Sequence, residues 1–166
     1  MSKLIILRGN SGSGKTTVAK TLQEKLGPNT MLISHDMVRL QILHVWSREG
    51  VEKSLPLMEE LLRYGKNHSE ITIMEGILPL KVYSRLFDTA VKEFGNEICA
   101  YYYDISFEET LKRHSTKPNK NDFTAEDMRR WWVDRDFLKN FDEKIITADM
   151  SVKDAVDMIL QDIDKG

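Results

Sequence analysis

Short runs of consecutive apolar residues alternate along the chain with longer stretches in which apolar residues recur every three or four positions. The short runs read as strands buried on both faces and the longer stretches as amphipathic helices. The pattern therefore predicts an α/β protein built on a parallel sheet. Strands are expected at Lys3–Leu7, Thr30–Ser34, Ile71–Glu75, Glu97–Asp104 and Lys144–Thr147. A helix over Thr16–Leu26 presents Val18, Leu22 and Leu26 on one face and stops at Gly27-Pro28. Two helices should follow the second strand, one near Met37–Ser47 and one with Val51, Leu55, Met58 and Leu62 on a stripe. Another carries Tyr83, Leu86, Phe87, Ala90 and Phe94.

Three capping signals mark the C-terminal half. Ser106-x-x-Glu109 and Thr124-x-x-Asp127 each open a helix, the second bearing Trp131 and Trp132. Ser151-x-x-Asp154 opens the last helix, with Val152, Ala155, Ile159 and Ile163 facing inward. Between the first two lies the polar stretch STKPNKND, which has no apolar rhythm. No repeat or Gly/Ser linker interrupts the pattern, so residues 1–166 are expected to form one domain.

Composition narrows the class only slightly. The 166 residues carry a formal net charge of −2, which counts against a nucleic-acid partner. A lone Cys99 permits no internal disulfide, and it reads as a small core residue of the fourth strand. The apolar run at residues 4–7 is too short for a signal peptide or membrane span, so no membrane partner and a cytoplasmic location are expected. The oligomeric state stays open.

The chemistry begins at Gly9-Asn10-Ser11-Gly12-Ser13-Gly14-Lys15-Thr16, which fits G-x-x-x-x-G-K-[ST] at every fixed position. In a chain of this length chance supplies such a match below about 1% of the time. Glycines allow left-handed turns that aim successive N–H groups at one anion, and the following helix adds its positive end. Lys15 can reach the outer phosphates and Thr16 can offer a hydroxyl to Mg²⁺, so a nucleoside triphosphate with Mg²⁺ is expected here, ATP or GTP alike.

In an open parallel sheet, ligands gather at the carboxyl ends of the strands. After the second strand stands His-Asp-Met-Val-Arg. Asp36 is placed to take a proton from a substrate hydroxyl or merely to cap a helix, Arg39 shares its helical face, and His35 is a supporting neighbour. Glu75 ends the third strand beside Gly76, as a metal-orienting acid, a substrate-hydroxyl contact or merely a helix cap. Arg113, Lys117 and Arg130 flank or follow the polar loop, which together suit a lid at about 114–130. His44, His68 and His114 show no metal-ligand spacing. Trp131-Trp132 reads as core and hinge packing.

Taken together, GNSGSGKTT, HDMVR, the hydrophobic-Glu-Gly after the third strand and YYYDISFEETLKRHSTKP resemble the small P-loop kinases. That group holds nucleoside and nucleotide kinases, shikimate and gluconate kinases and zeta-toxin-like kinases, including bacterial proteins labelled uridine kinase. The resemblance covers essentially the whole chain. It implies a three-layer P-loop fold with a five-stranded parallel sheet in the order 2-3-1-4-5, like nucleoside monophosphate kinases with a lid. It implies ATP and Mg²⁺ held by Gly9 to Thr17, Asp36 as base or anchor, Arg39 in the acceptor pocket, and Arg113 beginning the lid. Lys117 falls where relatives often carry a second lid arginine, and the loop at Ala148–Met150 would border the adenine. No Asp-Gly-x-Pro-Arg lid signature is present, nor a Gly-Gly-Gly motif after the third strand.

The expected activity is transfer of the γ-phosphoryl group of ATP to a hydroxyl of a small molecule such as a nucleoside, sugar or antibiotic-like alcohol. Two other readings stand beside it: a polynucleotide 5′-hydroxyl or sugar-nucleotide kinase, and a nucleotide-dependent switch or ATPase.

Overall fold

The computed structural model describes residues 1–139 and 141–165. Five strands form one sheet: β1 (Lys3–Gly9), β2 (Thr30–Ser34), β3 (Ile71–Gly76), β4 (Ile98–Asp104) and β5 (Lys144–Thr147). Every pairing is parallel and the order is β2-β3-β1-β4-β5, as the resemblance implies. Among the described residues the α-helices are α1 (Lys15–Leu26), α2 (Ser47–His68), α3 (Leu80–Phe94), α4 (Phe107–Ser115), α5 (Ala125–Arg130) and α6 (Val152–Lys165).

Side-chain alternation along β1 divides the core. Leu4 and Ile6 face a cluster built with Met58, Leu62, Leu86 and Phe87 of α2 and α3. Ile5 and Leu7 face the opposite cluster, with Val18, Leu22, Val156 and Ile159 of α1 and α6. The sheet is thus covered on both sides, which explains why its central strands read as unbroken apolar runs.

Several local expectations change. The helix foreseen near Met37–Ser47 is a π-helical turn over Met37–Ile42, closed by Leu43 N–H donating to Val38 O at 3.0 Å. His44 and Ser47 then take left-handed backbone angles, φ 54° and 58°, which break any continuous helix into α2. Val152 lies at the first position of α6 and is 41% exposed, so the inward stripe is Ala155, Val156, Ile159 and Ile163. Trp131 and Trp132 follow α5 instead of lying in it. Trp131 is half-exposed against Phe123, and Trp132 meets the Phe107 ring edge-on at 5.3 Å. Cys99 is half-buried in β4.

Candidate active site

The phosphate loop is shaped by three glycines with positive φ, at Gly9 (146°), Gly12 (80°) and Gly14 (104°). Two of them also permit close approach. A Cβ at Gly9 would stand 2.8 Å from Tyr103 Cβ, and one at Gly12 would stand 2.8 Å from the Thr110 carbonyl oxygen. The loop therefore sits pressed between β4 and α4 and opens onto the N-terminus of α1, where free N–H groups favour an anion.

Lys15 is 6% exposed and folds back across the loop, donating to Asn10 O at 2.8 Å and Ser13 Oγ at 3.2 Å. Burial lowers its pKa to about 8, against the opposing pull of Glu75 and Asp36. A buried ammonium so poorly compensated is primed to gain from a polyanion beside it.

Glu75, 3% exposed at the end of β3, joins the loop to β2. Its Oε1 accepts from Ser34 Oγ at 2.6 Å and from Thr16 Oγ1 at 3.1 Å. A carboxylate and a hydroxyl in contact at a helix N-terminus are hard oxygen donors that fit Mg²⁺. Among the described residues no group of three or more His, Cys, Asp or Glu side chains is arranged for a metal. Such an ion would therefore depend on phosphate oxygens for much of its shell.

Asp36 stands two residues past the end of β2, on helical backbone (φ −65°, ψ −40°), with its side chain 70% exposed and tied to Arg39 Nη2 at 3.2 Å. It makes no side-chain cap to the turn that follows, which leaves the helix-cap reading without its hydrogen bond. Arg39 is mostly buried, and its Nε lacks a partner. Beneath this pair His35 lies 2.5 Å from the Tyr83 hydroxyl and 3.4 Å from Ser54 Oγ. Burial, then the Arg39 charge, lowers the His35 pKa to about 4, so the ring is neutral at physiological pH. Tyr83 reaches it through a kink in α3, where its own φ and ψ (−108°, 17°) leave the helical region.

Arg113 on α4 spans two walls. Its Nη1 donates to Ser13 O at 2.7 Å, its Nη2 to Ala148 O at 3.0 Å, and its Nε to Glu109 at 3.0 Å. Lys117 feels Glu75 and Asp36 as attracting charges, and burial holds its pKa below the usual lysine value. The segment behind it is organised by His114, whose Nε2 donates to the carbonyls of Lys120 (3.0 Å) and Phe123 (3.1 Å).

Lys15, Asp36, Glu75, Arg113 and Lys117 thus come to one end of the sheet, together with Thr16 and Arg39. Asn10, Ser11, Gly12, Ser13 and Gly14 form the loop between them, and Thr17, exposed like Thr16, follows in the first turn of α1. Arg130 is not drawn in: its side chain is 67% exposed at the end of α5 and faces Asp127 at 3.8 Å. Neighbouring Arg129 lies over the Phe107 ring at 3.9 Å.

Four contributors were not among the expected site residues: Arg8, Ser54, Tyr83, expected only as a core residue of its helix, and Tyr103. Arg8 is fully buried and bonds Leu78 O, Asp136 and Glu143 while lying over Phe87 and Tyr102. The signal for it was present, since it is the one charge inside the apolar run that feeds the loop. Tyr103 underlies Gly9 and Gly14 with its hydroxyl buried and unpartnered.

No protein-family model matches the chain, and no curated protein does. Solved structures match over nearly its whole length. An APS kinase of Mycobacterium tuberculosis, in complex with AMPPNP and APS, is 19% identical with a TM-score of 0.73, covering 99% of this chain and 98% of that one. A gluconokinase of Sinorhizobium meliloti 1021 is 14% identical with a TM-score of 0.67, covering 98% and 92%. The tunicamycin resistance protein of Deinococcus radiodurans is 19% identical with a TM-score of 0.65, covering 98% and 96%. The fold is that of the small P-loop kinases.

Proposed function

We propose that the protein is an ATP-dependent phosphotransferase that moves the γ-phosphoryl group onto a hydroxyl of a small-molecule acceptor. The carrying observation is Asp36. It stands exposed in the turn just beyond β2, makes no side-chain cap, and lies within electrostatic reach of both Lys15 and Lys117. A carboxylate so placed suits a base for an incoming hydroxyl.

In this reading the loop N–H groups and Lys15 hold the outer phosphates. Lys15 exchanges Asn10 O and Ser13 Oγ for phosphate oxygens. Thr16 and Glu75 are the residues that would hold Mg²⁺, which when bound neutralises charge on the phosphate oxygens. Asp36 accepts the proton of the acceptor hydroxyl as its oxygen bonds to the γ-phosphorus and the bond to ADP breaks. Arg39 holds the acceptor beside it. Arg113 and Lys117, at the root and inner edge of a lid over about 114–130, balance charge on the transferring group. Positioning and fixed charge supply the rate, because the chemistry asks little else of the protein. Arg130 is left with at most a peripheral place at the lid's outer end.

A coupled assay of ADP release, run across nucleosides, sugars, hydroxy acids and antibiotic-like alcohols, tests the proposal. It expects acceptor-dependent turnover that Lys15→Ala abolishes. Turnover undiminished in that variant would remove the mechanism.

A further inference from the structure

The loop's second residue has a side chain turned away from the phosphate position. Asn10 is 5% exposed, and its amide makes a reciprocal pair with the backbone of Val133. Nδ2 donates to Val133 O at 2.7 Å, and Oδ1 accepts from Val133 N–H at 2.8 Å. The partner is 123 residues away in sequence, in the chain that returns from α5 toward β5. Such a pair imitates one rung of a sheet with a side chain.

Two further contacts fasten the same region to the loop. On the leading side, Arg113 donates to Ser13 O at 2.7 Å. Over the apex, Gly12 lies against Thr110 of α4 and against Met128 of α5, whose Cε would stand 3.1 Å from an added Cβ. Segment 114–130 is therefore rooted at both ends on the phosphate loop itself. Arg8, two residues before Asn10, extends the trailing root by bonding Asp136 and Glu143. Lys15 links the two roots from below, since its ammonium bonds both the Asn10 carbonyl and the Ser13 hydroxyl.

We propose that Asn10 is a positioning residue that ties the return arm of the lid to the phosphate loop, so that filling the loop and ordering the lid with its cation Lys117 are one event. This rests on the nucleotide reading given above. The moment a polyanion draws Lys15 off Asn10 O and Ser13 Oγ, the two residues that carry the lid roots lose a shared partner. The change is passed along the side-chain pair to Val133. Asn10 contacts no reacting atom through its side chain; it acts through the arm that it holds.

Hydrogen–deuterium exchange on the whole chain, with and without Mg-AMPPNP, tests the tie in the wild type, Asn10→Ala and Asn10→Asp. The aspartate variant keeps the volume and the contact to Val133 N–H but loses the donor to Val133 O, so it serves where alanine fails to fold. In the wild type, nucleotide is expected to slow exchange both in residues 9–26 and in residues 114–130. In the variants at saturating nucleotide, protection of 9–26 persists while that of 114–130 falls by about tenfold. Lid protection in both variants equal to that of the wild type would overturn the tie alone. No protection of 9–26 in the wild type would overturn the nucleotide reading, and the tie's role with it. A merely structural Asn10 would lower exchange protection everywhere, free and bound alike, without separating the two segments.

Discussion

Thr16 Oγ1 donates to Glu75 Oε1 across 3.1 Å, so the first turn of α1 and the end of β3 meet at the point where a phosphate-bound cation would lie. The same carboxylate oxygen also accepts from Ser34 at 2.6 Å, which pins it toward the loop. Glu75→Gln keeps the shape and removes the charge. Its expected effect is a loss of about tenfold in the Mg²⁺-dependent part of nucleotide affinity, comparable to losing a metal-orienting partner. Titration calorimetry with AMPPNP, with and without Mg²⁺, reads this directly; equal Mg²⁺ dependence in variant and wild type would assign Glu75 to the acceptor.

Lys15 gives the site a pH signature. Burial lowers its pKa to about 8 in the free protein, and phosphate oxygens must raise it again. Nucleotide affinity should therefore fall as pH rises above about 8, with proton uptake on binding, and Lys117 shifts in the same direction. For folding the sign is opposite. Between about 8 and the ordinary lysine value of 10.5 the unfolded chain holds more protons, so the Lys15 contribution to stability rises with pH. Its burial cost is fully present below about 8. Affinity measured across this range in the wild type and Lys15→Ala checks the first sign, because the variant should lose most of the dependence.

Arg8 is expected to dominate stability near the site. Its guanidinium meets Asp136 at 2.5 Å and Glu143 at 3.0 Å, and Glu143 is itself 2% exposed. Arg8→Ala strands one buried carboxylate and leaves the Leu78 carbonyl without its donors, a loss of about 3–5 kcal/mol. Arg8→Lys should recover only part of this, since one ammonium cannot reproduce the fork. Urea unfolding of the three proteins measures both effects.

Gly12→Ala tests the seat of the lid. The substitution forces a side chain at φ 80° and places Cβ 2.8 Å from Thr110 O. The loop or α4 must then shift. Nucleotide affinity should fall by more than tenfold, with proteolysis of segment 114–130 accelerated in the free protein.

How far the residues disclosed this arrangement depends on the range of the interactions. The strands were legible because burial on both faces leaves no polar alternation, and the loop was legible because its geometry needs glycine at fixed positions. The position of Glu75 near the end of β3, and of Asp36 in the turn just beyond β2, was legible from the strand pattern. Arg8 is marked in the sequence as a charge closing an apolar run, but its carboxylates lie 128 and 135 residues away, and nothing local marks such partners. The turn at 37–42 kept helical spacing while the backbone opened to π geometry, which apolar periodicity does not report. Val152 was read inward from its residue type, but the first position of α6 lies off the buried stripe. The neutral His35, held by Tyr83 and Ser54 from two separate helices, is likewise a product of tertiary packing.

The most direct test of the account follows phosphorus. Mg-ATP is incubated with the protein and pools of hydroxyl compounds, and ³¹P NMR records where the γ-phosphoryl group goes. The account predicts a new phosphomonoester appearing with ADP in equal amounts for at least one pool. It also predicts that Asp36→Asn slows its formation by about 10²–10⁴-fold while nucleotide affinity stays within about twofold. ATP converted only to ADP and inorganic phosphate, at a rate indifferent to Asp36→Asn, would contradict it.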